Sequence, residues 1–345
     1  MPDKSTPEAL DIEKVIKDVL ATIDRERERE IISRRFGLFD RRETLEQIGE
    51  LLGITRERVR QLEKAVMAKL KASADKDLPH IKEVQQVFIE ELQRAGKVAR
   101  ISDLASHVTD ENSRIDQSRV SFLAELSPKL ATIDENDFFF HAAGIASEHD
   151  EKAIRTEVGK IIDAIKKIGE PVPVEKVAEE LKKKDVKHVQ ALASISKELA
   201  TLNGRWGLVK WPMVNPKNIR DKIYVILHDS GKPMHFNEIA KTIKDSSFRR
   251  KDVTTQAIHN ELIKDKRFVL IGRGIYALKE WGYDKGTVAD VIAKVLKKAG
   301  EPLHRDEIVK RVLKSRQVKE TTILLNLQGK PQFKRTAKAT YTLAE

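Results

Sequence analysis

Residues 44–70 read TLEQIGELLGITRERVRQLEKAVMAKL. Thr44 is placed to cap a helix, and Leu45, Ile48, Leu51 and Leu52 form one apolar stripe behind it. Gly53 interrupts that helix where a tight turn wants a residue tolerant of positive φ, and Thr55 can cap a second helix. Helix, short glycine turn, helix is the helix-turn-helix signature. At about 100° per residue, Val59, Leu62, Val66 and Leu70 of the second helix fall on one side. Glu57, Arg60, Gln61 and Lys64 cluster on the far side, with Arg56 and Arg58 on the flanks. A merely solvated amphipathic helix shares that outline. The polar residue types point further: Arg can chelate guanine O6/N7, Gln can chelate adenine, and Glu can accept from cytosine N4. They also occupy the N-terminal half, the end that enters the major groove in this motif.

Composition limits the alternatives. The chain has 345 residues, 40% apolar and 34% charged but only 5% aromatic, which suits several small helical domains with modest cores. There is no cysteine, so disulfides and thiolate metal sites are excluded. The opening MPDKSTPEALDIEK has no apolar h-region, and no stretch approaches the ~18 uninterrupted apolar residues of a membrane span. The expectation is a cytoplasmic, nucleoid-associated protein without membrane contact. A net charge of +11 favours a polyanionic partner. That charge is unevenly spread: residues 1–78 are neutral and 79–148 carry −5, whereas 149–214, 215–283 and 284–345 carry +3, +6 and +7.

Beyond residue 78 a repeat emerges. GKVARISDLASHV from Gly96, GEPVPVEKVAEEL from Gly169, GKPMHFNEIAKTI from Gly231 and GEPLHRDEIVKRV from Gly300 share one plan. Each follows an apolar helix, each glycine suits a left-handed C-cap, and an apolar residue lies eight positions later: Leu104, Val177, Ile239 and Ile308. A third helix and a β-like closure complete every copy. Three helices and a terminal two-stranded ribbon are a winged-helix plan; a helical solenoid explains the closures less well. The predicted fold is therefore mainly α: a helix-turn-helix bundle over 1–78, then winged-helix-type modules with small hairpins over 79–148, 149–214, 215–283 and 284–345. Winged helices serve both as DNA binders and as protein-docking modules. Arg273 in GRGIY, and Lys334 and Arg335 in FKRTAK, are candidate phosphate contacts on ribbon hairpins, although a purely structural hairpin would use the same glycines. Phe138–Phe140, Trp206, Trp211 and Trp281 are expected to anchor ribbons to their cores.

Two family resemblances add to this reading. The run RRFGLFDRRETLEQIGELLGITRERVRQLEKAVMAKL resembles region four of the primary bacterial sigma factors, the promoter-reading helix-turn-helix. By that resemblance Arg56, Glu57, Arg60 and Gln61 stand where the family contacts the −35 element. Thr55, Arg58 and Lys64 are the accompanying phosphate-facing candidates. The resemblance also implies docking on the β-subunit flap of RNA polymerase. A complete sigma factor carries an upstream promoter-melting domain that nothing before Glu8 could supply, so the implied protein is a reader with other modules attached. Residues 219–283, with GKPMHFNEIAKTI and RGIYALKEWGY, resemble the HARE-HTH module of the RNA polymerase delta subunit and some chromatin proteins. That family supplies no catalytic residues.

The expected partners are double-stranded DNA and RNA polymerase, and the expected role is transcription regulation. An adaptor whose modules touch only protein remains open, because residues 1–78 are neutral and 79–148 acidic. An enzyme is not expected: no nuclease-like acid pair, phosphate loop or metal-spaced His/Asp cluster stands out, and no cofactor or small-molecule substrate is implied. His235 and His304, at matching positions of two repeats, suggest a shared structural role.

Overall fold

A computed structural model describes residues 11–344 except 75, 148, 149, 249, 251, 284, 285 and 317. The chain divides into two compact units, residues 1–210 and 211–345. It is mainly helical, with sixteen α-helices and four small antiparallel sheets among the described residues. No helix among them is long and apolar enough to cross a membrane.

The first unit opens with α1 (Ile12–Ala21), α2 (Glu26–Phe36), α3 (Leu45–Leu52) and α4 (Arg56–Ser73). Two apolar clusters hold them. Ile31, Ile48 and Val59, with Leu45, Leu52, Ile54 and Leu62 against them, lock α2, α3 and the start of α4 together. The other cluster takes the remaining apolar faces of α1, α2 and α4. It joins them to α5 (Ile81–Ala95), β1 (Val98–Arg100), α6 (Ile101–Val108), α7 (Arg114–Leu126), β2 (Leu130–Ile133) and β3 (Ala142–Ile145). Phe36 meets Phe122 edge-on at 5.0 Å, and Arg119 Nε donates to the Leu38 carbonyl at 2.8 Å. This core runs across residue 78 without a break.

The same order recurs with α8 (Glu151–Ile168), β4 (Val172–Pro173), α9 (Val174–Glu180), α10 (Val186–Ser194), β5 (Leu199–Leu202) and β6 (Arg205–Leu208). In the second unit it appears as α11 (Ile219–Ser230), β7 (Met234–His235), α12 (Phe236–Asp245), α13 (Thr255–Lys264), β8 (Phe268–Gly272) and β9 (Ile275–Leu278). It appears again as α14 (Val288–Ala299), β10 (Leu303–His304), α15 (Arg305–Leu313), α16 (Glu320–Gly329), β11 (Phe333–Ala337) and β12 (Thr340–Leu343). Each repeat glycine ends its first helix with positive φ, and Leu104, Val177, Ile239 and Ile308 are all buried.

One expectation needs correcting. The closures are three-stranded, because the short segment after each glycine cap adds an edge: the strand orders are β1-β3-β2, β4-β6-β5, β7-β9-β8 and β10-β12-β11. Those extra strands have two or three residues, too few to show an alternating pattern. His235 and His304 cap α12 and α15, their Nδ1 atoms accepting from the amides of Asn237 and Asp306.

Candidate nucleic-acid interface

Local chemistry shapes the turn between α3 and α4. Thr44 and Gln47 form a reciprocal capping box at 3.2 and 2.9 Å, which starts α3. Gly53 ends it at φ 64° and ψ 39°, a left-handed conformation that disfavours side-chain-bearing residues. The Ile54 amide then returns to the Gly49 carbonyl at 2.9 Å, and Thr55 Oγ1 accepts from the Arg58 amide at 3.2 Å to start α4. Arg27 donates to the Leu52 carbonyl and ties α2 to the end of α3.

Gly49 is not singled out by sequence patterning, yet it sets the approach of the two helices. A Cβ there would stand 2.7 Å from the Ile54 carbonyl oxygen, a backbone atom that cannot swing aside. A signal for it exists in the sequence: a glycine inside a short helix lowers helix stability and so implies a packing reason. Gly49→Ala is expected to lower thermal stability by roughly 1–2 kcal/mol through overpacking. Thermal melts followed by circular dichroism measure it, and an unchanged midpoint would show that the turn has slack.

With the turn held this way, Val59, Val66 and Leu70 of α4 are buried and Leu62 is partly buried. Leu51 departs from the expected stripe; at 55% exposure it lies outside the core. On the opposite side Thr55, Arg56, Glu57, Arg58, Arg60, Gln61 and Lys64 line the polar face, and the side chains of Arg56, Glu57 and Arg60 retain 69%, 57% and 53% exposure. No neighbouring element among the described residues covers those three.

Four of these groups, Glu57, Arg58, Arg60 and Gln61, form one hydrogen-bonded network. Arg60 grips Glu57 bidentately, Nε to Oε2 at 2.9 Å and a terminal nitrogen to Oε1 at 2.7 Å. Gln61 donates to Glu57 Oε1 at 3.3 Å, and Arg58 donates to Gln61 Oε1 at 3.4 Å. Arg56 reaches back to Glu46 on α3 at 2.9 Å, a contact that spacing along α4 could not reveal. The Arg60 hydrogen bond, helped by Gln61, brings the Glu57 pKa down to about 2, and Glu57 in turn raises that of Arg60. Pairs this exposed are weakly held and readily exchanged, so their donors can turn to base edges or phosphates. The Thr55 hydroxyl, engaged as an acceptor, still has its proton to donate.

Residues 25–72 match the Sigma-70, region 4 family. That family is a DNA-binding helix-turn-helix domain of sigma factors. RNA polymerase sigma factor sigB of Arabidopsis thaliana is 48% identical over 62 residues, which are 18% of this chain and 10% of that protein. RNA polymerase sigma factor SigA of Bacillus sp is 44% identical over 61 residues, which are 17% of this chain and 16% of that protein. The chain thus spans only a tenth to a sixth of these curated relatives. The region-four match extends from α2 through most of α4 and takes in every polar group of the α4 network.

The other candidates lie in the second unit. Arg273 stands at the Arg273–Gly274 hairpin between β8 and β9, where Gly274 has φ 67° and passes close to the rings of His235 and Phe236. Lys334 and Arg335 project from the exposed part of β11, with Arg335 Nε donating to the Ala337 carbonyl at 3.1 Å. Of the ribbon aromatics, Trp206 and Phe139 are buried, whereas Phe138 is 57% exposed.

Proposed function

We propose that this chain is a sequence-specific DNA-binding regulator of transcription, with a −35-type reader on α4, working alongside bacterial RNA polymerase. The exposed polar face bearing Arg56, Glu57, Arg60 and Gln61, on a region-four-like helix-turn-helix, carries this reading. These four are the base-reading residues of the proposal, with Thr55, Arg58 and Lys64 contacting phosphates beside them. We divide the chain into this reader over 1–78 and four winged-helix-type modules over 79–148, 149–214, 215–283 and 284–345. The repeated helix–strand–helix–helix–strand–strand order supports that division, and the HARE-HTH resemblance belongs to the third module. Arg273, Lys334 and Arg335 supply sequence-independent phosphate contacts from the two most basic modules.

A second reading, an adaptor that mainly touches protein, draws on a specific contact in the first unit. The loop between β2 and β3 docks onto the next module: Phe139 pairs with Ser196, the Phe140 amide donates to the Ile195 carbonyl at 2.9 Å, and the Lys197 amide donates to that of Phe138 at 2.8 Å. In this module the loop that a winged helix would offer to DNA is spent on protein packing. Selection of bound duplexes from a random pool, with and without RNA polymerase, tests the two. Enrichment of a −35-like sequence is expected. No enrichment in either pool, with the chain still co-purifying with polymerase, would leave the adaptor.

A further inference from the structure

Away from the helix-turn-helix, the first unit holds a cleft of about 420 Å³ between the end of α2, the segment before α3, α6, α7 and the β2–β3 loop. Three guanidinium groups line it, from Arg42, Arg100 and Arg114. Ser102, Ser118 and Ser121 line it as well, the Ser102 hydroxyl donating to Asp103 at 3.1 Å. One carboxylate, Glu135, also faces the cleft, but Lys197 Nζ already holds it at 2.7 Å. Ser121 Oγ lies 3.1 Å from His141 Nε2, whose pKa burial keeps low, so this imidazole is neutral at physiological pH and adds no countercharge.

Arg100 is the informative residue. It is partly buried, its Nε donates to the Ser194 carbonyl at 2.6 Å, and its guanidinium lies 3.9 Å above the Phe140 ring. Among the described residues no carboxylate reaches it within ion-pair distance; Asp103 acts on it only from further away. Proteins seldom keep a partly buried cation without an acidic partner. α6 also begins at this wall, with Arg100 at its N-cap position; the Ile101 amide is taken by the His141 carbonyl at 2.9 Å and acidic Asp103 stands in the same turn, so the guanidinium groups, not the helix end, supply the positive charge.

We propose that this cleft is a phosphoryl-binding site. Guanidinium groups pair tetrahedral oxyanions bidentately, and neighbouring hydroxyls complete such a shell. The volume exceeds that of a lone phosphate group and falls in the lower part of the ~300–1,000 Å³ range of small-ligand pockets. Two sources share this chemistry: a phosphorylated small molecule and a backbone phosphate of nucleic acid.

Pyrophosphate titrated calorimetrically into the full chain, against sodium chloride of equal ionic strength, tests the site. Saturable binding is expected. Arg42→Gln and Arg114→Gln, both at exposed rim positions outside the core, should each weaken it on the order of tenfold with the melting temperature unchanged. Lys166→Gln, an exposed position of α8 that does not line the cleft, should leave it unchanged. No binding above the salt control, or full-strength binding in the Arg42→Gln/Arg114→Gln double variant, overturns the proposal. A short duplex then separates the sources. Displacement of pyrophosphate from the unsubstituted chain by duplex, with duplex itself binding more weakly to the double variant, makes the ligand a nucleic-acid backbone, whereas simultaneous binding of both makes it a small phosphorylated molecule. Because this experiment does not involve the α4 face, it can fail while the DNA-reader proposal stands.

Discussion

Arg60→Ala is expected to weaken binding to a selected duplex on the order of tenfold to a hundredfold, while affinity for random duplex changes little. The reason lies in what Arg60 offers and what holds it. Its fork of donors is already set in a plane by the two oxygens of Glu57, and the pair is exposed, so a guanine edge can replace the carboxylate without desolvating a buried charge. The phosphate contacts proposed elsewhere on the chain would position any duplex equally and are untouched by the substitution. Glu57 complicates the outcome in a measurable way. Arg60 is the main cause of its low pKa, yet even an ordinary carboxylate is ionised at neutral pH, so in Arg60→Ala it loses its bidentate cation and confronts the groove as an anion. The double variant Glu57→Ala/Arg60→Ala should therefore lose less than the sum of the two single losses, as expected for residues in direct contact. Titrations on selected and random duplexes at one salt concentration decide the matter. Equal losses on both would remove the reader assignment.

How much of this is legible in the sequence depends on range. The α3–turn–α4 unit comes from contacts within a few residues: Thr44 to Gln47, Gly53 alone in left-handed space, Thr55 to Arg58. Such signals survive in a single sequence because each is a local demand on one residue type. The polar side of α4 is legible for the same reason, since helical periodicity separates it from Val59, Val66 and Leu70. Leu51 shows the limit. It fits an apolar stripe by spacing, yet it lies outside the small cluster around Ile31, Ile48 and Val59 and stays 55% exposed. Glu46–Arg56 and the β2–β3 loop docking on Ser196 join positions on different elements, and no periodicity encodes which exposed groups will meet. Arg100 belongs to the same class: its meaning lies in how far the described acids stand from it, which only three-dimensional placement reveals.

The same limit applies most strongly to the core, and there a large effect is expected. Phe122→Ala should destabilise the first unit by about 3–5 kcal/mol, the usual loss for emptying a buried aromatic site. Phe122 is fully buried and touches Phe36, so the cavity opens between α7 and the back of α2, far in sequence from the helix-turn-helix but against it in space. Val66, Met67 and Leu70 of α4 belong to the same cluster as Phe88, Leu104 and Leu123. Lys71 pairs with Glu125 at 2.9 Å, and Arg119 with Glu13 at 2.9 Å, across the same boundary. Residues 11–145 should then lose amide-exchange protection together, α2 and α4 in step with α5 and α7, because a continuous core opens as one cooperative piece. If α2 and α4 keep their protection while α5 and α7 lose theirs, the reader folds on its own and the shared core is only a contact between independent domains. If all four fall together, the proposed recognition face of α4 is held rigid by the shared core rather than by its own helix-turn-helix alone. Weakening the packing at Phe122 would then loosen sequence discrimination without altering any of the proposed base-reading groups.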